Sequence, residues 1–355
     1  MSALRILVTG VGAPGIRGTL YALRQGDRPI YTVGTDLSER AVGRLLTDAF
    51  YTVPPPEAPH YLDALRLICR AERIDVLIPQ TTREIAVLSR FRDDFGDTRV
   101  LVSGADAVAA ANDKGAVLQA FESLGLPVPA YRTTQSESEL IEAAEALGYP
   151  GRAVVVKPPV SNGMRGLRVL REGAWDTRRF LAEKPSGIDL ALDDLLAIFR
   201  RGQERGDDWQ ALLVTEYLPG PEYSVDAFRG SRFAVALPRR RDAVRSGISF
   251  ETTGLPERAD LIEPTLRAAE HLGLEYAFGF QFKDDADGAP KVLECNPRVQ
   301  GTMVASVFGG VNPIWLGVQE VLGEPPDALP APPEATFFQR YWGGIGMRGD
   351  SAFEI

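Results

Sequence analysis

The chain has 355 residues, 45% hydrophobic and 25% charged, with a formal net charge of -9 at pH 7 and a pI near 5.0. That acidity argues against a general nucleic-acid surface, which needs a basic face for phosphate, and the length admits two or three packed units. Two cysteines cannot build a disulfide framework, and no basic leader or long apolar run opens the chain. A cytoplasmic protein without a membrane span is therefore expected.

In chain order, residues 5–9 form a short apolar run ending in glycines, and residues 15–25 carry helical periodicity. Residues 30–35 read as a second strand, and Tyr61–Glu72 as a helix with Leu62, Leu65 and Cys69 on one face. Residues 76–79, a helix around 85–91, and residues 100–103 continue the alternation, which means a parallel sheet covered on both faces over 1–111. From 112 to 215 the pattern is a small α+β lobe. A helix over 114–124 leads to one over 136–147, where Ser136 and Glu139 have capping-box spacing, and then to a β-rich strand over 153–157. Residues 184–210 read as a helical insertion or lid, with Leu192, Leu195, Leu196 and Phe199 on one face. Residues 216–355 are strand-rich, with helices over 261–272 and about 313–322.

Gly10, Gly12 and Gly15 fit G-x-G-x-x-G between a strand and a helix, and Asp36 stands where a ribose-binding acid would be. One reading is an NAD(P)-dependent oxidoreductase. The other is a structural turn, since any tight strand-to-helix connection favours glycine, and nothing downstream resembles a dehydrogenase acid–base site.

The densest chemistry lies over residues 278–298. Two β-rich runs flank Asp287-Gly288, a two-residue hairpin signal. Counted from that turn, paired residues sum to about 575 and Gln281 falls opposite Glu294. Alternation lets Glu294, Asn296 and Arg298 share a face and turns Cys295 away. Carboxylate and amide oxygens suit Mg²⁺, and an arginine fork suits a transferring phosphoryl group. Lys114 opens a helix and Lys157 ends an apolar strand beside the loop Ser161-Asn162-Gly163-Met164-Arg165-Gly166, an arrangement suited to nucleotide phosphates. The strand end Glu216-Tyr217-Leu218 meets Pro219, leaving backbone groups for an adenine edge, with Glu222 near enough for ribose hydroxyls.

Together these residues resemble the ATP-grasp superfamily, most closely the synthetase lobes of the carbamoyl phosphate synthetase large subunit and related carboxylate–amine ligases. The resemblance rests on Asn112-Asp113-Lys114, Val156-Lys157-Pro158, the small-residue loop, Glu216-Tyr217-Leu218-Pro219-Gly220, Gln281 and Glu294-x-Asn296-Pro297-Arg298. It implies an α/β and α+β fold, with a Rossmann-like N-terminal lobe followed by a two-lobed ATP-grasp domain. It further implies that Lys114 and Lys157 contact ATP phosphates, that Glu216 and Leu218 hold adenine, and that Glu222 holds ribose. Gln281, Glu294 and Asn296 would bind Mg²⁺, with Mn²⁺ as a substitute. Arg239 and Arg241 would share a strand face near phosphate or an anionic substrate. The reaction implied is amide formation between a small-molecule carboxylate and an amine through an acyl phosphate, aided by Arg298, Lys157 and Arg241, in a protein with a homodimer interface on its N-terminal lobe. A non-catalytic nucleotide-binding module is the remaining alternative.

Overall fold

The computed structural model describes residues 3–161, 163–173, 177–182, 187–329, 333–341, 343–348 and 351–354. The apolar runs of the first lobe become β1 (Leu4–Thr9), β2 (Ile30–Asp36), β3 (Ala49–Thr52), β4 (Val76–Ile78) and β5 (Arg99–Val100). They alternate with α1 (Ile16–Arg24), α2 (Tyr61–Glu72), α3 (Thr82–Leu88) and α4 (Ala105–Asn112). The sheet is parallel in the order β3-β2-β1-β4-β5. Its central strands are apolar at successive positions because helices cover both faces, and Ile6, Leu7 and Val8 are fully buried.

The next stretch contains α5 (Lys114–Ser123), β6 (Tyr131–Thr134), α6 (Glu137–Ala146), β7 (Val154–Lys157), β8 (Arg168–Leu170), α7 (Thr177–Ala182), β9 (Asp189–Leu190), α8 (Leu192–Glu204) and β10 (Leu212–Glu216). Its five strands form one sheet, β6-β10-β7-β8-β9. Ser136 caps α6 by accepting from Glu139 N at 3.3 Å. The reciprocal bond differs from the expected box, because the Glu139 carboxylate takes Gln135 N, at 2.7 Å. Residues 184–186 of the expected insertion lie outside the described residues. Beyond them, Leu192, Leu195 and Leu196 pack with Leu140 and Val154 in one core, so α8 is an integral layer of this lobe.

The remaining chain forms β11 (Glu222–Arg229), β12 (Ala234–Arg245), β13 (Ile248–Gly254), α9 (Ala259–His271), β14 (Tyr276–Asp284), β15 (Pro290–Asn296), α10 (Val304–Phe308), α11 (Pro313–Val321) and β16 (Phe337–Gln339), then a hairpin of β17 (Ile345–Arg348) and β18 (Ser351–Glu354). The six-stranded sheet has the order β15-β14-β11-β12-β13-β16. The turn between β14 and β15 is one residue longer than expected. Asp285 N donates to Ala289 O at 3.0 Å, Gly288 N donates to Asp285 O at 3.2 Å, and Gly288 has φ +81°. This is a three-residue loop with a left-handed glycine, so pairs next to the turn sum to 574. Val292 and Cys295, three positions apart, are both buried, which breaks the two-residue alternation once along β15.

Packing divides the chain into two units. One comprises Met1–Asn112, Pro221–Phe282 and Cys295–Ile355, and the other Asp113–Gly220 and Lys283–Glu294. In the first unit, α1 packs on the segment after β15, and Leu20, Leu23, Met303, Ile314 and Trp315 share a core. A Cβ on Gly15 would stand 2.6 Å from the Gly301 Cα and 2.9 Å from its carbonyl oxygen. Backbone cannot yield there as a side chain would, so Gly15→Ala is expected to cost about 1–3 kcal/mol, read as a lowered melting midpoint. An unchanged midpoint would contradict this close approach.

Glu84 is buried in the same unit, where its Oε2 accepts from the Thr9 and Thr81 hydroxyls, each at 2.8 Å, and from Thr81 N at 3.2 Å. Burial outweighs these bonds and raises the Glu84 carboxyl above its ordinary value. The folded state thus holds the proton to higher pH than the unfolded chain does. The Glu84 contribution to stability is complete below the ordinary carboxylate range and is lost as pH rises through the raised value. Glu84→Gln retains an acceptor oxygen and should flatten that decline in thermal melts between about pH 4 and pH 8; an unaltered pH profile would count against it.

Candidate active site

In the second unit, β7 delivers Lys157 to the end of a central strand, opposite Leu213. Lys157 is 5% exposed, and its Nζ donates to Leu293 O on β15 at 3.2 Å. Asp113 caps α5 by accepting from Gly115 N and Ala116 N at 2.7 and 3.1 Å, which fixes Lys114 at the first helical position. The Lys114 ammonium donates to Ser161 O at 2.7 Å and Ser161 Oγ at 3.3 Å. It also stands 3.4 Å from Glu294 Oε2. Two buried ammonium groups thus converge on adjacent residues of one strand.

The loop that follows β7 returns over Pro158. Gly163, Met164 and Gly166 all have positive φ, and a Cβ on Gly166 would lie 2.6 Å from the Pro158 ring. Glycine is needed there for space as well as conformation. At the end of β10, Glu216 Oε1 accepts from Ala130 N at 3.0 Å and from Lys291 Nζ at 2.8 Å. Burial opposes the Lys291 charge, but its pairs with Glu216 and Asp285 hold the ammonium above its ordinary value. The Glu216 side chain therefore staples β10 to the β15 end of this unit. Tyr217 carries the Arg171 guanidinium 4.5 Å above its ring centroid, and Leu218 is buried.

In the first unit, Arg298 Nη2 donates to Asn296 Oδ1 at 3.0 Å, its Nη1 to Val299 O at 3.1 Å, and its Nε to Thr82 Oγ1 at 3.3 Å. Thr82 opens α3, whose start is fixed by a full capping box between Thr81 and Glu84. The N-terminal lobe thereby helps to aim the arginine, a part that sequence reasoning missed because Thr82 carries no motif of its own. Arg241 forms an ion pair with Glu222 and donates to Ser249 Oγ at 2.8 Å and Gly247 O at 2.7 Å. The expected ribose acid and the expected phosphate arginine are thus each other's partners. Gln281 is half-buried on β14, and Cys295 is buried on β15.

The glycine turn has a geometry of its own. Asp36 Oδ2 accepts from Gly12 N at 2.7 Å, so the amide and the acid that would hold a dinucleotide bond each other, while Gly15 is taken up in packing.

Two family models match the chain: "ATP-grasp in the biosynthetic pathway with Ter operon" over residues 208–341 and "PylC-like, N-terminal domain" over residues 6–102. The formate-dependent phosphoribosylglycinamide formyltransferase of Mycolicibacterium vanbaalenii is 25% identical over 360 residues, covering 98% of this chain and 82% of that protein. The C-terminal section of the carbamoyl phosphate synthase large chain of Methanopyrus kandleri is 26% identical over 310 residues, covering 76% of this chain and 53% of the relative. The ADP complex of the purK N5-carboxyaminoimidazole ribonucleotide synthetase matches in fold with a TM-score of 0.68 at 17% identity, over 92% of this chain and 78% of that one. Together these matches support an ATP-grasp ligase.

As an ATP-grasp ligase it is an enzyme of a superfamily that uses ATP with Mg²⁺. Among the described residues no three His, Cys, Asp or Glu side chains cluster as a metal site. The donor chemistry of Gln281, Glu294 and Asn296 nevertheless fits Mg²⁺: all are hard oxygens, and a single carboxylate leaves charge and positions for phosphate oxygens and water. No described helix of the ligase is long and apolar enough to cross a membrane.

Proposed function

We propose that this ligase joins a small-molecule carboxylate to an amine, forming a carbon–nitrogen bond through an acyl phosphate. A carboxylate oxygen attacks the γ-phosphorus of ATP and ADP leaves. The amine nitrogen then attacks the acyl carbon, the carbon–oxygen bond to phosphate breaks, and phosphate and a proton depart. The observation that carries this reading is the convergence of Lys114 and Lys157 on Leu293 and Glu294. Two ammonium groups of that burial suit a polyphosphate.

In this reading Lys114, Lys157, Ser161, Gly163 and Gly166 hold the phosphates. The backbone at Glu216, Tyr217 and Leu218 meets adenine, and Glu222, oriented by Arg241, meets ribose. Gln281, Glu294 and Asn296 hold Mg²⁺ or Mn²⁺, which when bound neutralises phosphate charge. Arg298, fixed by Asn296 and Thr82, faces the transferring group, and the loop after β7 excludes water from the intermediate. The protein is read as a cytoplasmic homodimer acting on small molecules, with no nucleic-acid or membrane partner.

The test is a phosphate-release screen of small carboxylates and amino acids taken pairwise. Sustained release of ADP and phosphate, beyond one turnover per site, should require an acid and an amine together. ADP formation that ignores the amine across the whole panel would sink the amide-forming step, and tight NAD binding without ATP binding would sink the reading altogether.

A further inference from the structure

In the second unit the Lys291 ammonium stands between two carboxylates. It donates to Glu216 Oε1 at 2.8 Å and lies 3.3 Å from Asp285 Oδ2. Asp285 is anchored in turn by the hairpin loop, since its Oδ1 accepts from Asp287 N at 3.0 Å and from Ala289 N at 2.9 Å. The short loop thus fixes an acid, the acid holds an ammonium, and the ammonium holds the last residue of β10. All of these residues lie within Asp113–Gly220 or Lys283–Glu294, so the chain of contacts is internal to one packed unit.

Glu216 is fixed from its other side as well. Its N–H donates to Ala130 O at 2.9 Å, and its Oε1 accepts from Ala130 N at 3.0 Å. Oε1 therefore carries two donors, one neutral and one charged, and the carboxylate cannot turn about its last bond without losing both. Among the described residues Oε2 accepts no bond, and the side chain is 29% exposed. That oxygen is a preset acceptor for a donor from outside the chain. The next residue is held on the opposite face of the strand end: Tyr217 carries the Arg171 guanidinium 4.5 Å above its ring centroid, and Arg171 donates to Asp189 Oδ1 at 3.2 Å. Removing Lys291 would leave Glu216 and Asp285 as two like charges with no cation between them, which favours a turn of the Glu216 carboxylate away from its present setting.

We propose that Lys291 is a positioning residue for the nucleobase. By holding Glu216 Oε1 it sets Oε2 to accept the exocyclic amino group of adenine, and so makes the site select adenine over a purine that carries a carbonyl there. Such a purine brings an acceptor against an acceptor, and neither oxygen finds a proton. This role rests on the reading above that the end of β10 meets adenine.

The experiment is a calorimetric titration of the full chain, in Mg²⁺, with ADP and with IDP, whose base carries a carbonyl in place of the amino group of adenine. The parent should bind ADP at least about 100-fold more tightly than IDP. Lys291→Met keeps the apolar stem without the charge. It should weaken ADP about tenfold or more and lower the preference over IDP by the same factor. Lys291→Arg keeps a charged donor at Glu216 and should retain most of the preference. Glu216→Gln is the second arm. Two donors still hold the oxygen at Oε1, so the amide nitrogen takes the place of Oε2, a donor faces the base, and the preference should move toward IDP by at least about tenfold. Equal weakening of ADP and IDP in Lys291→Met would mean that the lysine only supports the fold, and would overturn the role. A parent that does not prefer ADP, or a preference that survives Glu216→Gln intact, would overturn it too. These outcomes leave the ligase reading standing, whereas a parent that binds neither nucleotide would overturn that reading and this role with it.

Discussion

Lys157→Ala is expected to reduce ADP formation by about 100- to 1,000-fold while the protein stays folded. The lysine sits at the end of β7 with its ammonium on Leu293 O, and a buried charge contributes little to stability because removing it from water is costly. Its loss therefore falls on the step where phosphate charge develops. Glu294→Ala should be as severe for a different reason. It removes the carboxylate of the proposed metal set and leaves the Lys114 ammonium without the Oε2 that stands 3.4 Å away. Steady-state ADP release at saturating ATP separates these variants from the parent, with circular dichroism as the folding control. Undiminished turnover in either would remove the proposed site.

The largest effect on stability is expected at Asp226. It is fully buried and Arg239 nearly so, and the guanidinium grips both carboxylate oxygens. Asp226→Ala leaves Arg239 charged in a low-dielectric interior, a change worth about 3–5 kcal/mol. The melting midpoint should fall by on the order of 10 °C. The double variant Asp226→Leu with Arg239→Met removes both charges and should recover most of that loss. A single variant that melts with the parent would mean that the pair is solvated.

The sequence made the alternation of the first lobe readable because apolar runs bounded by glycine leave few choices, and β1, α1, β2 and α2 fall within a residue or two of expectation. It was poor at the short edges. Neither β3 nor β16 has a buried residue, and β13 is hidden among the threonines and the basic run before it. Site residues were legible as types, since strand-end lysines and a Glu-x-Asn-x-Arg run are rare without a purpose. Their pairings were not. Arg241 found Glu222 through the β11–β12 pairing, and the hairpin count slipped by one because Asp285, not Ala286, closes the turn. Thr82 was invisible because its role comes from Arg298, 216 positions away.

The contact of Gly15 with Gly301, and the Arg340 bond to Pro14 O across 326 positions, have a consequence for biosynthesis. The first lobe emerges from the ribosome with its α1 face bare, and the segment that covers it is translated nearly 300 residues later. At about 5–20 residues per second that face waits on the order of 15 s or more for its cover. Contacts so distant along the chain also slow the final assembly. The nascent chain should therefore depend on chaperones in the interval between the synthesis of Gly15 and that of Arg340.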